Sequence, residues 1–206
     1  MLHKETVELS TFALLEKLQD LPILHDFHLV GGTALALQFG HRQSIDLDLF
    51  GYPLEKQQIL SSLKSEFSHS FQFIESPISW SLFCKINAIK VDLIQYQHPL
   101  LYPLIDDEVR MYDYRDIAAM KINAVLNRGT KKDFWDIYEL FEHMTFDEMI
   151  EVFERKYPDQ RLLISIPQAL VYFQDAESDP NPICLKNRTW EEVKTGITKC
   201  VSQYLS

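Results

Sequence analysis

The chain has 206 residues, 46% of them hydrophobic, and a formal net charge of -10. That length and apolar content suit one domain, or a compact catalytic half with a helical half attached, and they exclude a disordered chain. The charge excludes a broad electrostatic landing surface for nucleic acid, so a chain like this one that handles nucleotides needs Mg²⁺ or a few focused Lys and Arg residues.

No apolar run approaches the roughly 18 residues of a membrane span, and Met1 to Ser10 lacks the apolar core of a signal peptide. The expected location is therefore the cytoplasm, with no membrane partner. Cys84, Cys184 and Cys200 are widely spaced and form no CxxC pair. They read as reduced, structural cysteines.

In chain order, Lys4 to Leu18 carries Val7, Phe12, Leu14, Leu15 and Leu18 near a 3.6 period, which predicts a helix ended by Pro22. Phe27 to Val30 is a short apolar strand that meets Gly31-Gly32. Thr33 then opens a helical run to Phe39, stopped by Gly40. Ser44 to Phe50 alternates, with Ile45, Leu47 and Leu49 on one face and Asp46 and Asp48 on the other. Leu54 to Phe67 is helical. Strands follow at Phe71 to Ile74, Ser81 to Ile86 and Ile89 to Ile94, the last two joined by a tight turn at Asn87-Ala88. Helices are then expected at Asp116 to Asn127, Lys132 to Glu142, Phe146 to Tyr157, Ser165 to Phe173 and Trp190 to Leu205, with a turn-rich linker at Asp175 to Pro182. The fold class is α+β: a mixed α/β half over residues 1–112, then a helical half over residues 113–206.

Two carboxylates on one strand face repel and raise each other's pKa unless something neutralises them. A divalent cation does so, and Mg²⁺ takes one or two carboxylates together with substrate phosphates. Asp92, flanked by Val91 and Leu93 on the buried parity of a later strand, adds a third carboxylate if the two strands are neighbours. Three converging carboxylates suit two-metal phosphoryl transfer. Gly31 and Gly32 let backbone approach a phosphate, the helix after them offers free N–H groups, and Thr33 adds a hydroxyl. Alone, Gly-Gly before a helix is ordinarily a turn, and Asp-x-Asp on a strand is ordinarily a solvated face. The ordered set of strand, Gly-Gly, helix, alternating Asp strand and later strand Asp is far more specific.

That set resembles the polymerase-β-type nucleotidyltransferase superfamily, whose signature pairs a Gly-[Gly/Ser] with a downstream Asp-x-[Asp/Glu]. Asp46-Leu47-Asp48 lies at the long end of its spacing from Gly31-Gly32. A narrower resemblance runs from Leu29 to Leu140. It includes Gly31 to Leu37, Arg42, Ser44, Asp46 to Phe50 and the Val91-Asp92-Leu93 strand. It continues with Lys121, Asn123, Ala124, Arg128, Gly129, Lys132, Asp133, Asp136, Ile137 and Tyr138. This pattern is similar to the AbiEii/AbiGii nucleotidyltransferase toxins of bacterial abortive-infection, toxin–antitoxin systems. The resemblance implies a polymerase-β-like core with a mixed sheet. It places metal binding, by Mg²⁺ or Mn²⁺, on Asp46, Asp48 and Asp92. It implies an NTP substrate, an RNA such as tRNA or a protein hydroxyl as acceptor, and an antitoxin partner. It also points to Lys121, Lys132, Asp133 and Asp136 as site residues.

The residues add their own reading. Lys121, Ala124 and Arg128 fall near one helix face, where two cations flank a small residue and meet a triphosphate together. With the resemblance, nucleotide contact is assigned to Lys121 and Lys132, and also to Arg128, with Lys131 in the same basic cluster. A Lys132–Asp136 ion pair at i, i+4 is the simple local alternative. Asp133 or Asp136 is a candidate general base or orienting group. Arg42 and Lys85 each read equally as a phosphate contact or a solvated side chain. The histidines His25, His28, His41, His69 and His98 lack metal-ligand spacing, and Phe134, Trp135, Tyr138 and Phe141 read as core. A module that binds NTP without chemistry and acts through a protein partner is the rival reading.

Overall fold

The computed structural model describes residues 1–206. A short 3-10 turn at Lys4–Thr6 leads into α1 (Leu9–Asp20), then β1 (Phe27–Leu29), α2 (Gly31–Phe39), β2 (Leu47–Gly51) and α3 (Lys56–Phe67). Strands β3 (Phe71–Ile74), β4 (Ser81–Ile86), β5 (Ile89–Gln95), β6 (Ile105–Asp106) and β7 (Arg110–Met111) follow. The remainder is helical: α4 (Tyr114–Arg128), α5 (Lys131–Leu140), α6 (Phe146–Lys156), α7 (Ile166–Leu170) and α8 (Trp190–Leu205). This is the α+β arrangement expected from the sequence.

The strands form one mixed sheet in the order β3-β4-β5-β2-β1-β7-β6. At its centre β2 runs parallel to β5 and antiparallel to β1. Leu47, Leu49, Val91 and Leu93 are fully buried on one face of this central pair. Strands β4 and β5 are joined through Asn87 and Ala88, both at positive φ (51° and 66°), the backbone that a tight hairpin turn requires. One apolar core runs from Val7 on the first segment to Val201 on α8 and takes in both sheet and helices.

Local signals set most helix starts. Four helices begin with a capping box: Thr130 with Asp133, Thr145 with Glu148, Ser165 with Gln168, and Thr189 with Glu192. Gly40 at φ 66° closes α2 in the left-handed conformation that a side chain disfavours. Phe134 and Trp135 are buried, as their spacing predicted, and pack around Trp190 of α8. Burial pushes the Cys84 thiol up to about 12, so it is an inert core residue.

Three boundaries differ most from the sequence expectation, and two short strands are added. The first helix starts at Leu9 instead of Lys4, because His3 bonds back to Leu37 and Thr6 accepts from Ser44. The aspartate strand starts at Leu47 instead of Ser44. Residues 41–44 are instead held by the C-terminal segment: Gln43 N–H donates to the Ile183 carbonyl and Leu185 N–H to the His41 carbonyl. The helix predicted over Ser165 to Phe173 shortens to five residues. Strands β6 and β7, two residues each, were not expected.

Candidate active site

Asp48 and Asp92 are register partners across the parallel β2–β5 pair. Side chains of directly paired residues share one sheet face, so the buried leucines and valine on the opposite face fix both carboxylates toward a common cleft of about 430 Å³. Asp46 lines the same cleft from the residue just before β2. Its position is set by Thr33, whose hydroxyl is hydrogen-bonded to the Asp46 carbonyl and lies 2.8 Å from Ser44 Oγ. The Thr33 hydroxyl, buried and engaged in this way, shapes the loop that carries Asp46.

The acidic pair is only partly compensated, by Lys90 on Asp92. Burial, and then the Asp92 charge, hold the Asp48 carboxyl above the usual carboxylate range. Asp92 Oδ2 accepts from Lys90 Nζ at 2.7 Å, whereas its buried Oδ1 has no hydrogen-bond partner. An orphaned buried carboxylate oxygen beside a second carboxylate is the donor set that an oxygen-seeking divalent cation fits. Gly31 fits the same reading. It opens α2 at φ 69°, and a Cβ there would stand 2.9 Å from Asp48 Oδ2. Only a residue without a side chain keeps that oxygen accessible and the helix N-terminus close to it.

A second layer of charge stands beside the carboxylates. Lys121 of α4 is buried, and its Nζ donates to Asp133 Oδ1 at 2.8 Å and pairs with Asp136 Oδ2 at 2.6 Å. Burial opposes the Lys121 charge, but the two aspartates outweigh it and raise its pKa. Asp136 is fully buried. It accepts from Arg42 Nε at 2.7 Å and Nη2 at 2.9 Å, and lies 2.8 Å from His41 Nε2. Burial alone would raise its pKa; Arg42 and Lys121 hold it well below the ordinary value. Asp133 is likewise lowered, against burial, by Lys121 and by its bond from Thr130. Arg42 is thus neither a solvated loop residue nor a free cation. Its guanidinium fills the space beside Gly32, where any Cβ would collide with it.

The remaining basic residues separate. Lys132 and Arg128 line the cleft with exposed side chains, Lys132 lying 3.7 Å from Asp46 Oδ2. The local Lys132–Asp136 pair does not form, because Asp136 turns inward to Arg42 and Lys121. Lys131 leaves the expected cluster: its Nζ donates to the carbonyls of Glu177 and Asp179 at 3.2 and 2.9 Å. Lys85 is exposed on β4, outside the cleft. Two participants escaped the sequence reading. Lys90 carried a signal, since i and i+2 on a strand share a face with Asp92. His41 carried none, because its partner Asp136 is 95 residues away. Elsewhere, Glu139, Glu142 and His143 cluster closely. Lys186 and Arg188 already neutralise that group, at 2.5 and 2.8 Å from Glu139.

Comparison with known proteins decides the family. A family model described as "Nucleotidyl transferase AbiEii toxin, Type IV TA system" matches residues 13–199. The chain belongs to this family. It is a nucleotidyltransferase of the toxin class of type IV toxin–antitoxin systems. This AbiEii-family chain is 35% identical to the protein aq_aa25 of Aquifex aeolicus (strain VF5) over 207 residues, covering 93% of this chain and 94% of that one. Its fold is similar to MenT4, a nucleotidyltransferase toxin from Mycobacterium tuberculosis H37Rv. The TM-score is 0.58 at 16% identity, over 95% of this chain and 85% of that one. JHP933 from Helicobacter pylori matches with a TM-score of 0.56 at 19% identity, over 93% and 87% of the two chains. No helix of the AbiEii-family chain is long and apolar enough to cross a membrane.

Proposed function

We propose that this AbiEii-family enzyme transfers a nucleotide from an NTP to a hydroxyl of RNA, such as tRNA, or of protein. We propose further that the reaction depends on a divalent metal and that the enzyme is a toxin restrained by a separate antitoxin. The observation that carries the metal-dependent reading is the in-register Asp48–Asp92 pair with its unpartnered Asp92 oxygen. Asp46, Asp48 and Asp92 would hold Mg²⁺ or Mn²⁺. When bound, the metal neutralises that pair and polarises the phosphates.

The chain's own groups supply the rest. Gly31, Gly32 and the first N–H groups of α2 face the triphosphate, favoured by the helix dipole. An ammonium has three donors. Lys121 spends two on Asp133 and Asp136, which leaves one for a phosphate oxygen. Lys132 and Arg128 add exposed positive charge at the cleft edge, the focused cations that an acidic chain requires. Asp133 and Asp136 are weakened as bases by their ion pairs, so their role is to orient Lys121 and Arg42, not to accept a proton. The acceptor hydroxyl oxygen bonds to the α-phosphorus as the α–β phosphoanhydride bond breaks; pyrophosphate leaves and the hydroxyl proton passes to water. In this reading residues 1–112 are the catalytic core, and residues 113–206 are a helical domain that completes the nucleotide site.

The test is incubation of the enzyme with each radiolabelled NTP, a divalent salt, and total cellular RNA and protein. The labelled band identifies the acceptor. Asp48→Asn should lose more than about a hundredfold of incorporation, since one oxygen ligand and its charge disappear. Full incorporation by Asp48→Asn, or undiminished incorporation in EDTA, would exclude the mechanism.

A further inference from the structure

Lys90 stands two residues before Asp92 on β5, and its ammonium lies 2.7 Å from Asp92 Oδ2. No other cation in the structure is paired with Asp48 or Asp92. The lysine is about half exposed, whereas Asp92 is largely buried (side-chain exposures 47% and 13%). The buried end of the pair is therefore fixed and the solvated end is free to leave. A flexible four-carbon stem lets the ammonium withdraw to water without moving the strand.

We propose that Lys90 is a built-in placeholder cation: it occupies Asp92 in the metal-free enzyme and is displaced when a divalent ion enters. This inference rests on the metal site proposed above. It gives Lys90 a positioning role, distinct from that of a metal ligand. The ammonium holds the Asp92 carboxylate in one orientation, and it competes with the ion for the same oxygen. The exchange is one of partners only. The Asp92–ammonium hydrogen bond breaks, an oxygen–metal bond forms, and Lys90 keeps its three protons in water.

Competition has a sign that structural support does not. Removing the competitor tightens metal binding, whereas loosening a support weakens it. Mn²⁺ binding to the nucleotide-free protein, read by electron paramagnetic resonance of the free ion, measures this without any turnover. Lys90→Met should bind Mn²⁺ about three- to fivefold more tightly, the scale of an exposed ion pair. Lys90→Arg should stay near wild type because it restores a competing cation. Lys85→Met is the control for net charge. Lys85 is the direct cross-strand partner of Lys90, carries the same charge and makes no bond to Asp92; its loss should leave Mn²⁺ affinity within twofold. Equal or weaker Mn²⁺ binding by Lys90→Met, or equal tightening by Lys85→Met, would overturn the placeholder role while the metal site stands. If the wild type binds no Mn²⁺, or Asp92→Asn binds it as well as wild type, the metal site itself is wrong and the placeholder falls with it.

Discussion

Asp48 sits on β2 opposite Asp92, and burial together with that neighbour raises its proton affinity. A carboxyl whose pKa is higher folded than unfolded binds protons more tightly in the native state. Its penalty is therefore absent below the unfolded value and fully present above the folded one. Above the folded value, without a divalent ion, the folded protein carries the whole penalty. Asp48→Asn removes the charge while keeping the shape, and it should raise Tm in EDTA by about 2–4 °C, corresponding to roughly 1 kcal/mol in a chain of this size. The same substitution abolishes transfer under the proposed mechanism. Adding Mn²⁺ should raise the wild-type Tm and leave the variant's nearly unchanged, because the ion binds only the native acidic site. A lower Tm for Asp48→Asn in EDTA, measured by differential scanning calorimetry, would show that the pair is not strained.

At the scale of single elements, α5 joins the fold to the site. Thr130 and Asp133 form its capping box, and the Asp133 carboxylate that bonds Thr130 with one oxygen bonds Lys121 with the other. Thr130→Ala should cost about 1 kcal/mol in urea unfolding, and Thr130→Ser should recover most of it by restoring the hydroxyl. A loss of similar size in both variants would mean that the threonine methyl, not the cap, is what matters. The box was readable in sequence as Thr-x-x-Asp before a helix, but its second partner, Lys121, was not, because that contact depends on how α4 and α5 pack. The same division runs through the whole chain. The alternation of Leu47, Asp48 and Leu49, and of Val91, Asp92 and Leu93, encodes which faces are buried and so which way the carboxylates point. Whether β2 and β5 are neighbours is a matter of topology that no local pattern carries. Arg42 shows the limit most clearly. It follows a glycine and a histidine in a loop, where side chains are ordinarily solvated. It is buried only because the 183–185 segment closes over residues 41–43 and Asp136 arrives from α5. Two-residue strands such as β6 and β7 are too short for any periodicity to register.

Across the molecule, a row of acidic side chains on α5 ties separate parts of the chain together. Asp136 holds Arg42 from the segment after α2, Asp133 holds Lys121 from α4, and Glu139 holds Lys186 and Arg188 from the segment before α8. All three carboxyls are lowered in pKa against the opposing effect of burial: Asp136 by Arg42 and Lys121, Asp133 by Lys121, and Glu139 by its bonds from Lys186 and His143. The sign is opposite to that of Asp48. A carboxyl with a depressed native pKa contributes stability that is fully present above the unfolded value, roughly 4, and is lost as pH falls through the native value. The urea midpoint should therefore gain nothing from these groups between pH 5 and 8 and should drop steeply below pH 4. As they protonate, Arg42 and Lys121 are left buried and unpaired, which is what makes removing one partner of a buried ion pair so costly. Asp136→Asn should reproduce at pH 7 part of what acid does, with a loss of about 3–5 kcal/mol. Because it has already lost the charge, its midpoint should fall less than wild type's between pH 5 and 3. An acid limb as steep in Asp136→Asn as in wild type would place the acid sensitivity elsewhere in the chain. A flat wild-type profile down to pH 3 would mean that the α5 pairs do not bind the two halves together.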